Sequence, residues 1–153
     1  MKLPLTGGCQ CGELRYEITA EPLSVYACHC TECQRQSGSA FGMSVLIPRE
    51  AFRFVKGAPR RYERTADSGR VIEGDFCDAC GVRPVHYPRA NPKVAILKPG
   101  TLDDTSWLHP VGHIWTKSAQ AWMSLSKDSV IHEAHPTELD SMIEAWRRYR
   151  ATL

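Results

Sequence analysis

Seven cysteines carry the chemistry of this chain, and they fall into three tight groups: Cys9-Gln10-Cys11, Cys28-His29-Cys30-Thr31-Glu32-Cys33 and Cys77-Asp78-Ala79-Cys80. In an extended chain, side chains two residues apart point the same way, so Cys9 and Cys11 can reach one ion. A Cys-x-x-Cys turn such as Cys77 to Cys80, followed by Gly81, brings two sulfurs together as in a zinc knuckle. Thiolates in such groups are ligands for a borderline-soft metal, above all zinc. A structural zinc takes four protein ligands, whereas a catalytic zinc keeps one position open. Seven ligands divide as four plus three. Spacing alone leaves open which groups combine: Cys9, Cys11, Cys77 and Cys80 can close one shell, and Cys28, Cys30 and Cys33 are compact enough for a second ion with a vacancy.

Competing readings of the cysteines have less support. Disulfide pairing would leave one thiol over, and no βαβ pattern surrounds either Cys-x-x-Cys in the manner of a thioredoxin. A single zinc with three buried bystander thiols is a further alternative. The N-terminus has no apolar stretch of signal-peptide length, so a cytosolic location, where thiols stay reduced, is expected.

The rest of the composition is that of an ordinary globular protein: 153 residues, 42% apolar and 24% charged. That length suits one domain, here expected over residues 1–153. The formal charge of +2 counts every thiol as neutral. Seven thiolates holding two zinc ions would bring it to about −1. No nucleic-acid partner is therefore expected, and no run approaches the ~18 apolar residues of a membrane span.

The elements that must position the cysteines read as short strands. Residues 12–19 alternate, with Leu14, Tyr16 and Ile18 on one face. Further strands are expected at 41–47, 52–55, 60–64, 70–76, 84–87 and 93–97. Gly57-Ala58-Pro59, Ser68-Gly69 and Lys98-Pro99-Gly100 punctuate them, suggesting a mainly β body of antiparallel strands. A C-terminal helix is expected over about 137–150, with Thr137 as N-cap, Glu138 and Asp140 in the first turn, and Arg147, Arg148 and Arg150 near the end. Leu139, Met142, Ile143, Trp146 and Tyr149 recur at helical spacing and form a stripe for core packing against the sheet.

Among other candidates, His29 lies between two same-facing cysteines and should point away from them, in a structural or solvent-facing role rather than as a proton shuttle. His113 reads as packed or on the surface. His132-Glu133-Ala134-His135 lacks the spacing of a zinc-protease helix and reads as loop. Arg35, Arg60 and Arg61 have the chemistry to grip carboxylates, though solvated surface positions explain them better.

The stretches Gly7-Gly8-Cys9-Gln10-Cys11-Gly12, Cys28 through Phe41, and Asp75-Phe76-Cys77-Asp78-Ala79-Cys80-Gly81 resemble the glutathione-dependent formaldehyde-activating enzyme family. Gly100-Thr101-Leu102-Asp103-Asp104, His113-Ile114-Trp115 and Trp122 are similar to its C-terminal part, so the resemblance spans about residues 5–125. Centromere protein V carries the same motif set. This resemblance implies a β-tent-type zinc-binding fold with two zinc ions. It assigns Cys9, Cys11, Cys77 and Cys80 to the structural zinc, and Cys28, Cys30 and Cys33 to the catalytic, more labile one. It also implies carbon–sulfur lyase or adduct-forming chemistry on a small-molecule thiol, glutathione or a related adduct such as S-(hydroxymethyl)glutathione. The alternative is a non-enzymatic zinc-stapled interaction module, or a thiol or zinc sensor. Assembly into a homo-oligomer is compatible with either.

Overall fold

A computed structural model of the chain describes residues 1–66 and 68–153. In chain order the first strands are β1 (Leu5–Gly8), β2 (Arg15–Ile18), β3 (Ser24–Cys28), β4 (Gly42–Pro48), β5 (Phe52–Lys56) and β6 (Arg60–Thr65). They are followed by β7 (Val71–Phe76), β8 (Val85–Pro88), β9 (Val94–Leu97), β10 (Gly112–Ile114) and β11 (Val130–Ile131). Helix α1 (Thr31–Ser37) lies between β3 and β4, and α2 (Asp140–Arg150) ends the chain. No helix among the described residues is long and apolar enough to cross a membrane. Two compact units result: Met1–Pro22 with Leu46–Trp107, and Leu23–Val45 with Leu108–Leu153.

In the first unit β1, β2 and β5 form an antiparallel sheet in that order. The alternation in residues 12–19 works as expected, because Leu14, Tyr16 and Ile18 are all buried. β1 escapes a pattern-based reading because half of it is glycine, a poor strand former. The structure shows why glycine is needed there. A Cβ on Gly7 would fall 2.3 Å from the Tyr16 hydroxyl and 2.4 Å from the Thr101 carbonyl. The Tyr16 hydroxyl is itself hydrogen-bonded to Thr101 Oγ1 at 2.8 Å. The same unit holds β6, β7, β8 and β9, paired antiparallel in sequence order.

In the second unit β3 pairs with β10, and β10 with β11, both in parallel. The pairing of the chain is thus mixed rather than wholly antiparallel. All five residues of β3 are buried, so it has no polar–apolar alternation to announce it. β10 and β11 are too short to show any period. α2 lies against β3, its Met142 and Trp146 are both buried, and Ser24 Oγ donates to the Met142 carbonyl at 3.0 Å. Tyr149 stacks on His109 at 4.1 Å. The helix begins two residues later than Thr137 would set it, with Leu139 at the N-cap position and no side-chain cap. Next to this start, His132 Nε2 meets Ser141 Oγ of the first turn at 3.2 Å. Met142→Ala is expected to destabilise this unit by about 2–5 kcal/mol, read as a shift in the denaturation midpoint at unchanged slope, because the vacated volume is walled by packed neighbours.

Candidate metal centres

Two turns of the first unit carry one cysteine group each. After β1, the Gly12 amide donates to the Cys9 carbonyl (3.1 Å) and the Cys9 amide to the Leu14 carbonyl (3.0 Å). After β7, the Gly81 amide donates to the Cys77 carbonyl and the Cys77 amide to the Val82 carbonyl, both at 2.8 Å. Gly12 and Gly81 have φ of 77° and 74°, the left-handed conformation that closes each turn and favours glycine. These turns bring the sulfurs of Cys9, Cys11, Cys77 and Cys80 within 4.8 Å of one another. Cys9 and Cys11 are 3.5 Å apart, and Cys11 and Cys77 3.7 Å. A tetrahedron with zinc–sulfur bonds of about 2.3 Å has edges of about 3.8 Å, so the set suits that ion.

The local electrostatics favour a cation in the middle. Burial pushes the Cys9 thiol up, but the Leu14 amide (3.2 Å from its sulfur) and the thiols of Cys11, Cys77 and Cys80 outweigh it and bring the value down to about 6. At Cys11 the Glu13 amide opposes the rise, yet Cys9, burial and the other two thiols push it to about 12. Four acidic groups this close cannot all be ionised together without a compensating charge, and a divalent ion resolves the conflict. Cys9 and Cys77 are buried in an apolar cluster with Leu14, against which Phe54, Cys80 and Val82 pack.

The second unit assembles the other group. Cys28 ends β3 and is buried; Cys30 sits at the N-cap of α1, where its sulfur accepts the Cys33 amide at 3.3 Å; Cys33 lies in the first turn. Their sulfurs also lie within 4.8 Å of one another, and among the described residues no histidine, carboxylate or further cysteine joins them. Hydrogen bonding with Cys30 and Cys33, then burial, push the Cys28 thiol far up, the same conflict in a smaller cluster. β4 opens against it: a Cβ on Gly42 would lie 3.1 Å from Cys33 Cβ and 3.6 Å from its sulfur, so glycine leaves that cysteine room.

His29 is fully buried rather than solvent-facing. Its Nε2 lies 2.9 Å from His113 Nδ1, and its ring packs near Phe41. Burial holds both imidazoles below their usual range, with His29 adding to the effect at His113. The arginine candidates are engaged elsewhere. Arg35 pairs with Glu32 at 2.8 Å and Arg60 with Asp78 at 3.1 Å, both on the surface. Arg61 donates from Nε (2.7 Å) and Nη2 (3.0 Å) to the buried Asp75 carboxylate, which also accepts the Tyr87 hydroxyl at 2.9 Å. His132 and His135 join no metal-holding group among the described residues. Sequence reasoning passed over Gln34, whose amide joins three segments of the second unit. Its place directly after Cys33 was the available signal.

Three relatives carry the provisional name glutathione-dependent formaldehyde-activating enzyme. The chain is 27% identical to one from Sordaria macrospora over 86 residues, 52% of this chain and 35% of the relative. It is 29% identical to one from Talaromyces marneffei over 48% of this chain and 40% of that protein. The match to one from Penicillium rubens is 30% identical over 48% and 39%. The chain thus spans well under half the length of these curated relatives. A crystal structure of a Rhodobacter sphaeroides protein shares the fold, with a TM-score of 0.53 and 23% identity over 67% of this chain and 91% of that one. The profile of the family described as glutathione-dependent formaldehyde-activating enzyme matches residues 4–118, taking in both cysteine clusters and the His29–His113 pair, and the chain belongs to that family.

Proposed function

We propose that the protein is a zinc-dependent enzyme that makes or breaks a carbon–sulfur bond in a glutathione-type thiol adduct. In this reading Cys9, Cys11, Cys77 and Cys80 hold a structural zinc, and Cys28, Cys30 and Cys33 a reactive one. The observation that carries it is the second cluster: three cysteine sulfurs within 4.8 Å, with no fourth side-chain ligand among the described residues. A zinc ion bound there would supply an exchangeable, Lewis-acidic position for a substrate thiolate or a carbonyl oxygen.

The chain's own contribution is to hold three cysteine sulfurs, which a bound cation would keep as thiolates, at the end of β3 and the start of α1. The two imidazoles beside them engage each other rather than completing the shell. The reaction is an addition without oxidation. In the forming direction the thiol sulfur bonds to the aldehyde carbon, and the thiol proton ends on the former carbonyl oxygen. In reverse, that hydroxyl proton returns to sulfur as the carbon–sulfur bond breaks.

The test uses the zinc-loaded full chain with glutathione and formaldehyde, following S-(hydroxymethyl)glutathione formation by NMR exchange. A rate above the spontaneous one is expected. A rate equal to the spontaneous one, with glutathione and with other small thiols, would falsify this assignment.

A further inference from the structure

A three-ligand site lacks the fourth protein bond that would lock it, so the surrounding structure must set where its donors point. In this chain the bracing converges on Gln34. Its Nε2 donates to the His29 carbonyl at 2.7 Å and to the Ser118 carbonyl at 2.8 Å, and its Oε1 lies 3.3 Å from the donating Gln120 Nε2. The His29 carbonyl belongs to the backbone between Cys28 and Cys30. Gln34 itself follows Cys33 on α1. One primary amide therefore ties the backbone that joins Cys28 to Cys30 to the helix bearing Cys33, and both to the segment around Ser118.

That segment is itself held firmly. The amides of Trp115, Thr116 and Lys117 donate to the carbonyls of Ala134 (3.3 Å), His132 (3.1 Å) and Glu133 (3.3 Å). Trp115 has φ 59°, a left-handed conformation that a large residue adopts only where its surroundings enforce it. Residue 29 is pinned twice more, by its amide to the Ile114 carbonyl (2.9 Å) and by its ring to His113. Of the neutral side chains, a primary amide suits the central place, because it offers two N–H donors to two carbonyls while still accepting from a third group.

We infer that Gln34 is a positioning residue for the Cys28, Cys30 and Cys33 site, fixing the separation of the three sulfurs through the His29 carbonyl without touching the metal or the substrate. The inference rests on the reading of that cluster as a metal site. Gln34→Glu tests it with little change of volume: it removes both donors and sets a carboxylate against two carbonyl oxygens. The probe is cobalt(II) in the full chain, with each site's affinity measured by chelator competition and its ligand environment by visible absorption. Gln34→Met, which removes the donors without adding charge, serves as the second variant.

Wild type is expected to take two ions. Both variants should weaken the three-thiolate site by about 10- to 100-fold and change its absorption bands, while the four-thiolate site keeps its affinity. Variants that bind both ions with wild-type affinity and bands overturn the inference. So do variants whose two sites weaken together with a lowered melting temperature, since that marks general loosening. A wild-type chain that takes only one ion removes the functional reading itself, and this positioning role with it.

Discussion

Replacing Cys77 by serine is expected to abolish cooperative folding of the first unit. A structural zinc site contributes on the order of 10–16 kcal/mol at neutral pH. Whole-domain stabilities are about 5–15 kcal/mol, so little remains once the ion is lost. Cys77 is a severe place for the change. It is buried, it packs with Cys9 and Leu14, and its backbone forms the turn closed by Gly81. Serine oxygen is a poor ligand for a metal that favours thiolate, and a buried hydroxyl without a partner costs a further 1–3 kcal/mol or so. Zinc content and a thermal scan by circular dichroism read the outcome. A Cys77→Ser chain that melts within a few degrees of wild type would mean that the four sulfurs hold no structural ion.

Cys33→Ser should give the opposite result: a folded chain with one zinc fewer and no turnover. Cys33 lies on a seven-residue helix with no buried residue, and its backbone amide can still reach Cys30. Serine is tolerated near the start of a helix, so the fold has little to lose. The chemistry has much to lose, because two thiolates hold zinc far less well than three. Outer-sphere changes at metal sites already cost about 10- to 100-fold, so loss of a direct ligand should lower the adduct-forming rate by more than about 100-fold. Metal analysis, the thermal scan and the exchange assay together give the answer. An unfolded variant would show that the four-plus-three division is wrong. A folded, metal-depleted variant with an unchanged rate would place the chemistry elsewhere, and would favour a zinc-stapled interaction module.

Much of this is legible in the amino-acid sequence alone. The pairs Cys9/Cys11 and Cys77/Cys80 and the Cys28 to Cys33 group are local, and chain geometry dictates that donors two or three residues apart meet at one point. The strands predicted at 52–55, 60–64, 70–76, 84–87 and 93–97 lie within a residue or two of those observed at Phe52–Lys56, Arg60–Thr65, Val71–Phe76, Val85–Pro88 and Val94–Leu97. They show themselves because a half-buried strand must alternate, or because glycine and proline mark its ends. The apolar stripe of α2 is visible for the same reason at helical period.

Tertiary structure decided everything that joins distant segments. Spacing left the grouping of the cysteines open; packing sets Cys11 3.7 Å from Cys77 across 66 positions. β3 has no alternation because it is buried throughout, and its parallel partner β10 is three residues long. His29 meets His113, and Gln34 meets Ser118, each across 84 positions. Backbone geometry repeats every two or 3.6 residues, so local order leaves a periodic trace in the sequence. The choice of a distant partner follows from how surfaces fit once the chain is collapsed, and it has no period to read.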